Sequence, residues 1–349
     1  MRPELPYPAS RWDSGDGPIL QVENLSVEFP TREGLVHAVE DVSFRVEPGE
    51  VLGVVGESGS GKSVTALAIM GLLPKRSRVR GAIRFRGRDL LALDRTAMRD
   101  VRGREISMIF QDPMTALNPV LTVGRQLVEM IRRHQDLDRQ EARREALELM
   151  DLVGIPAPQR RIDQFPHELS GGMCQRIVIA IAIANRPLLV IADEPTTALD
   201  VTIQAQVMEV MTSVQAEVGS ALMLITHDLG LVAGTADRVQ VMYGGRIMET
   251  APANSIFAEG ANPYTLGLLR SLPRLDESGE TPLFSIRGAP PSAILRPEGC
   301  AFHPRCDYAT DQCVVEPPPM VAVGADHLSR CHHIDRVLAG SAAVAESPP

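Results

Sequence analysis

The sequence predicts an α/β fold organised on a parallel sheet, and three stretches carry that expectation. Val51-Leu52-Gly53-Val54-Val55 is a short apolar, β-branched run that reads as a buried strand. Gly56-Glu57-Ser58-Gly59-Ser60-Gly61-Lys62-Ser63 follows it directly, and Val64 to Leu73 then places Leu67, Ala68, Met70 and Gly71 at helical spacing. Leu188 to Ala192 is a second all-apolar run, the pattern of a parallel strand buried on both faces. It leads into Asp193-Glu194-Pro195, which puts carboxylates at the carboxyl end of a strand, where ligands bind in open α/β sheets.

A G-x-x-x-x-G-K-S run on a strand-to-helix turn is a phosphate-binding loop. Gly56, Gly59 and Gly61 let successive N–H groups point inward as an anion-binding nest, and the helix N-terminus adds its positive dipole end. Lys62 reaches the β- and γ-phosphates, and the Ser63 hydroxyl ligates Mg²⁺. Ser58, Ser60 and Thr65 complete the loop and helix residues expected at the nucleotide. Composition sharpens the reading: of 35 basic residues only Lys62 and Lys75 are lysines. A compact ammonium suits a tight phosphate cradle better than a planar guanidinium does.

In chain order, residues 1–17 read as a disordered lead-in rich in Pro, Gly and charge. Ile19 to Phe29 alternates apolar and polar as a strand, and Val36 to Val46 reads as another, closed by Pro48-Gly49-Glu50. On pattern alone Phe29 is a core residue at a strand end. Gly81 to Arg88 reads as a strand and turn, and Ile106 to Phe110 as a strand ending at Gln111-Asp112-Pro113. Val123 to Arg133 and Arg139 to Val153 are amphipathic helices, the second with Asp136 and Asp138 as candidate caps and Gly154 at its end. Leu169-Ser170-Gly171-Gly172-Met173 opens a helix through Ile177, Ile181 and Ala184, another glycine-rich helix entrance that offers an anion site. Ile203 to Val218 is a helix, Ala221 to Ile225 a strand with His227 just beyond, and Arg238 to Met248 a hairpin turning at Gly244-Gly245. The α/β core ends near Pro252. From Pro273 the composition shifts toward Pro, Cys and His, which marks a domain boundary, and a disordered tail is expected from Ala339.

The net charge of −9 disfavours a general nucleic-acid binder. The longest apolar stretch, Ile177 to Ala184, is too short to span a bilayer. Met1 to Pro18 lacks the apolar core of a signal peptide, so a cytoplasmic location is expected.

Taken together these pieces resemble the nucleotide-binding subunit of an ABC transporter over residues 19 to 335. Gly56 to Ser63 looks like its Walker A loop, Gln111 its Q-loop glutamine, and Leu169 to Met173 its signature motif. Leu188 to Asp193 resembles Walker B with Glu194 after it, Thr197 to Asp200 the D-loop, and His227 the switch histidine. The resemblance implies a P-loop NTPase cassette over residues 18–272, with a RecA-like mixed sheet, an antiparallel β subdomain and a helical signature subdomain at about 112–186. It implies that Asp193 holds Mg²⁺ through water, with Ser63 and Gln111 as further Mg²⁺ contacts, and that Glu194 polarises the attacking water. His227 would align the γ-phosphate, Phe29 would stack on adenine, Ser170, Gly171 and Gly172 would contact the γ-phosphate of ATP held by the opposite subunit, and Asp200 of the D-loop would bind ATP. Met173 stands where most of the family has Gln, which touches only the packing of the signature loop.

The end of the chain narrows the resemblance. Tyr264 to Pro273, Gly288-Ala289-Pro290-Pro291 and Pro304-Arg305-Cys306 are similar to the C-terminal extension of oligopeptide, dipeptide and nickel importer ATPases. Asn118-Pro119 after Asp112-Pro113-Met114-Thr115 resembles that group's Q-loop segment. Cys300, Cys306, Cys313 and Cys331 lie in this extension, at 273–338. Cysteines clustered in a cytoplasmic chain point to metal before disulfide, and the gaps of five, six and seventeen residues do not fit zinc-ribbon knuckles. The resemblance implies a [4Fe–4S] cluster, with Zn²⁺ the alternative and His303, His332 and His333 as substitute ligands. It further implies a second, distinct cassette ATPase as partner, two permease subunits and an external solute-binding protein, at the cytoplasmic face of the membrane. A soluble cassette ATPase acting on DNA or ribosomes is the competing reading. The single loop and single signature, with no long insertion between them, and the acidic charge disfavour it.

Overall fold

The computed structural model describes residues 17–197, 200–272, 284–294 and 296–345. Residues 1–16 of the expected lead-in, the expected boundary at Pro273, and Ala198 and Leu199 of the D-loop segment lie outside them. The chain opens with β1 (Leu20–Pro30) and β2 (Leu35–Val46), an antiparallel pair. β3 (Val51–Val55) crosses to a second sheet and α1 (Lys62–Ile69) leaves it. β4 (Arg78–Phe85) and β5 (Arg88–Asp89) return to the first sheet, whose order is β2-β1-β4-β5. After α2 (Arg95–Val101), β6 (Ile106–Ile109) joins the second sheet, and a helical layer follows: α3 (Pro113–Ala116), α4 (Val123–His134), α5 (Arg139–Leu152), α6 (Pro158–Arg161) and α7 (Gly171–Ile183).

The chain then re-enters the second sheet with β7 (Leu189–Asp193), crosses α8 (Val201–Val218) to β8 (Ala221–Thr226), and passes α9 (Leu229–Val232) to the hairpin β9 (Arg238–Tyr243) and β10 (Arg246–Pro252). α10 (Ala253–Glu259), α11 (Pro263–Arg270), α12 (Asp311–Val315), β11 (Met320–Gly324), β12 (His327–Arg330) and α13 (Ile334–Ala345) complete it. The second sheet has eight strands in the order β11-β12-β10-β9-β3-β8-β7-β6.

The expected parallel core is present: β3 pairs in parallel with β8 and β9, and β7 with β6 and β8. Its strands are mostly apolar because both faces are covered. Leu52, Val54, Leu189 and Ile191 face one apolar cluster, shared with β1 and β4, while Val51, Val55, Val190 and Ala192 face another, shared with the helical layer. Of the two candidate caps on α5, Asp138 serves: its carboxylate accepts from the N–H groups of Gln140 and Glu141, and Glu141 reaches back to the Asp138 N–H.

Two features depart from the sequence reading. The sheet does not end near Pro252: β12 lies antiparallel to β10, with Glu249 opposite Ser329, and β11 extends the edge. The tail predicted to be disordered from Ala339 continues as α13 through Ala345, since Ser341-Ala342-Ala343-Val344-Ala345 is rich in the best helix former. No helix among the described residues is long and apolar enough to cross a membrane.

Candidate active site

The loop between β3 and α1 is shaped by its glycines. Gly56, Gly59 and Gly61 have φ of 154°, 77° and 100°, conformations that side chains resist. A Cβ on Gly61 would also stand 2.7 Å from the Ala38 carbonyl oxygen. The Lys62 side chain is buried beneath the loop, its Nζ donating to the Gly56 carbonyl at 2.7 Å and the Glu57 carbonyl at 3.0 Å. Burial pulls its pKa below the usual lysine range, and the nearby Glu194, Asp193 and Glu57 carboxylates oppose that pull. The Ser63 hydroxyl donates to Asp193 Oδ1 at 2.9 Å, linking the start of α1 to the end of β7.

Burial pushes the Asp193 carboxyl above the usual range; the Ser63 hydrogen bond opposes this and the neighbouring Glu194 charge adds to it. Two carboxylates held this close, one of them buried, form a site short of positive charge. Glu194 itself is in the left-handed region, at φ 49°, the kind of local strain that clusters where side chains must be aimed. Its Oε2 gathers three neighbours: Gln111 Nε2 donates at 3.2 Å, the Thr197 hydroxyl donates at 2.9 Å, and His227 Nδ1 lies at 3.2 Å.

The loop, Gln111, Glu194 and His227 open onto one cavity of about 780 Å³, within the ordinary range of ligand clefts. Ser58 to Lys62 and Ser63 line its floor, Gln111, Glu194 and His227 one end, and Phe29 with Val36 and Ala38 the other. Phe29 is half-buried at the cavity rather than closed into the core. Thr65 is a correction. It is fully buried and its hydroxyl donates back to the Gly61 carbonyl at 3.0 Å, away from the cavity. Each helical residue turns about 100°, so one step beyond Val64, which does line the cavity, points into the core.

Ser170, Gly171, Gly172 and Asp200 do not line this cavity either. Ser170 caps α7 and Asp200 caps α8, whose Ile203 N–H it binds at 3.0 Å. Gly172 stands tight against Ile203, where a Cβ would meet the side chain at 2.9 Å. Cys174 is buried with its thiol on the Pro166 carbonyl, inside the helical layer.

A second, much smaller cavity lies in the C-terminal extension, and Cys300, Cys306, Cys313 and Cys331 all line it. The Cys300 N–H donates to the Cys313 carbonyl at 2.8 Å, tying two of the four segments together. Burial pushes the Cys306 thiol up to about 12 and the Cys331 thiol to about 11, each opposed by a backbone N–H that donates to its sulfur, from Tyr308 at 3.4 Å and His333 at 3.3 Å. The three histidines expected as substitutes line the same cavity, each with one ring nitrogen hydrogen-bonded. His303 pairs with the Cys300 carbonyl, His332 with the Glu316 carbonyl and His333 with the Thr310 hydroxyl. Among the described residues no three His, Cys, Asp or Glu side chains converge as a group that could hold one metal ion.

The ABC transporter family matches residues 39–197, and the C-terminal region of oligopeptide/dipeptide transporters matches residues 248–313. The oligopeptide transport ATP-binding protein OppD of Bacillus subtilis is 50% identical over 311 residues, which cover 88% of this chain and 87% of that protein. The chain belongs to the ATP-binding proteins of ABC transporters, in the oligopeptide/dipeptide group. OppD of Mycobacterium tuberculosis is 52% identical over 327 residues, 93% of this chain but 53% of its own length, so the chain spans about half of the mycobacterial relatives it matches. Among solved structures, the dimeric ATP-binding cassette MJ0796, bound to ADP and Pi, matches with a TM-score of 0.60 and 26% identity over 67% of this chain and 98% of that one.

For an ABC cassette, the cavity contains more than its motifs. Ala293 of the extension lines it, and its carbonyl accepts from the His37 N–H at 3.1 Å, beside the Phe29 end. Arg296 anchors the same strap to the Glu40 carboxylate and the His37 carbonyl. No local pattern announces Ala293; the Gly288-Ala289-Pro290-Pro291 segment just before it was the only signal nearby.

Proposed function

We propose that the chain is the ATP-hydrolysing subunit of an importer that takes up short peptides across the cytoplasmic membrane. The observation that carries this is the convergence on one cavity of the phosphate loop, Lys62, Ser63, Gln111, Glu194 and His227, with Asp193 tied to it through Ser63, in a chain whose extension matches that of oligopeptide transporters. The relatives named above are oligopeptide transport ATP-binding proteins.

In this reading the triphosphate lies on the inward N–H groups of Ser58 to Ser63, and Lys62 turns from the loop carbonyls to its β- and γ-phosphates. Phe29 stacks on the base. Ser63, Asp193 and Gln111 would hold Mg²⁺, which would supply neutralisation of charge at the phosphates, and the carboxylates around Asp193 suit such an ion. Glu194 accepts the proton of the attacking water as it is aimed in line with the γ-phosphate, and His227 and Gln111 keep that carboxylate in place. Ser170, Gly171, Gly172 and Asp200 lie away from the chain's own cavity and act on the nucleotide of a second cassette, a distinct homologue. Two permeases and an external binding protein complete the complex at the cytoplasmic face. The cassette then occupies 18–272 and the extension 273–338.

The four cysteines hold a [4Fe–4S] cluster in this proposal. Four thiols lining one cavity are the usual ligand set of such a cluster, and N–H groups on two sulfurs are the partners that stabilise bound thiolates. Iron and acid-labile sulfide on anaerobically purified chain test it; stoichiometric zinc would replace it. For transport, the complex is purified with its permeases into proteoliposomes. Its ATP hydrolysis should rise with peptide-loaded binding protein, and hydrolysis indifferent to peptide would overturn the assignment.

A further inference from the structure

Glu57, the second residue of the phosphate loop, is held from three directions. Its N–H donates to the hydroxyl of Tyr264, a fully buried residue of α11, at 2.8 Å. Its carbonyl accepts from Lys62 Nζ and from the Ser60 N–H at 3.2 Å. Its carboxylate takes both arms of Arg305, at 2.6 Å and 3.0 Å. Arg305 belongs to the C-terminal extension, 248 positions away.

Every donor direction of Arg305 is used. Nη1 also reaches the Tyr243 hydroxyl at 3.2 Å, Nη2 the Ile286 carbonyl at 3.2 Å, and Nε the Arg287 carbonyl at 2.8 Å. The guanidinium lies against the Tyr243 and Phe302 rings, and its side chain is 5% exposed. A planar fork used bidentately in such a setting sets an angle, which a lysine would not do. The turn that carries it is closed by the Arg305 N–H on the Phe302 carbonyl and the Cys306 N–H on the His303 carbonyl, so it is built from the extension alone.

We propose that Arg305 is a positioning residue for the nucleotide: through Glu57 it fixes the open shape of the phosphate loop, and nucleotide affinity therefore depends on the extension. The inference rests on the reading of the cavity as an ATP site, and goes beyond it in placing part of that site's preorganisation outside the cassette. A loop held in its binding shape loses less freedom when the phosphates arrive.

The test is titration of the full-length chain with the fluorescent analogue MANT-ATP and Mg²⁺, beside its thermal unfolding. Arg305→Ala should weaken binding about tenfold, within the range of typical coupling between sites. Glu57→Gln should weaken it similarly, and the double variant should be no worse than either single one, because both break one link. Arg305→Lys keeps the charge and stem, so it folds if Arg305→Ala does not, and should still lose affinity. Variants with a lowered unfolding temperature and unchanged MANT-ATP affinity, or with additive losses, would make the pair a structural tie only and overturn the proposal. An unmodified chain that fails to bind MANT-ATP would overturn the ATP reading itself, which is a separate outcome.

Discussion

The phosphate-loop cavity and the cysteine cavity are assembled in opposite ways. The nucleotide cavity sits at the carboxyl ends of β3, β7 and β8, and its polar groups are already partnered: Ser63 on Asp193, Lys62 on loop carbonyls, Gln111 and Thr197 on Glu194. The cysteine cavity is lined mostly by residues from short turns, α12 and the end of β12, with Met248 of β10 and Pro263 of α11, and burial pushes its Cys300, Cys306 and Cys331 thiols up. A sheet fixes the first whether or not a ligand is present. The second brings soft ligands together in a region with little regular structure, where an occupant that binds thiolates would contribute folding energy directly.

The largest effect expected from this contrast is chemical. Glu194→Gln should lower single-turnover phosphate release about 10²–10⁴-fold while MANT-ATP affinity holds, since the loop is untouched; unchanged release would remove Glu194 from the chemistry. Next is geometry. Gly61→Ala forces a Cβ against the Ala38 carbonyl at a φ of 100°, a strain of about 1–3 kcal/mol. It should abolish measurable nucleotide binding in the same titration. On the other side of the comparison, Cys313→Ser should lower iron content and the unfolding temperature together, and a lowered temperature without loss of metal would leave only a packing role. Metal removal from the unmodified chain by an iron chelator should reproduce that shift.

The smallest effect concerns the helical layer. Arg143 grips Asp163 with both arms and holds its carboxyl below the usual aspartate range. Because the folded value is depressed, the stabilisation is complete above the unfolded value near 3.8 and is lost as pH falls through the folded one. Both side chains are largely exposed, so the pair is worth at most about 1 kcal/mol. Arg143→Ala should lower the unfolding temperature by about 2 °C at pH 7, with the difference closing in strong acid.

The same contrast explains what the sequence made legible. β3, β7 and β8 could be read because strands buried on both faces read as near-continuous apolar runs, and the loop because its glycines serve backbone geometry. Ser63, Asp193, Gln111, Glu194 and His227 followed from motif order, and they meet. Thr65 failed because motif membership does not say which way a helix turns its side chain. β11 and β12 escaped because each is a few residues long with mixed polarity, and β12 pairs with β10 from about 80 positions away while β11 pairs only with β12. The link from Arg305 to Glu57 left no local trace for the same reason. The cysteine spacings could not say that the thiols share a cavity; the strap from Cys300 to Cys313 does that through backbone hydrogen bonding.

The most direct test of the peptide-importer assignment is an anaerobic pull-down of the tagged full-length chain from native membranes, with mass spectrometry of what comes with it. The account predicts two multi-span permeases and a second cassette ATPase in stoichiometric amounts. Ribosomal or DNA-repair proteins, with no membrane protein among them, would contradict it.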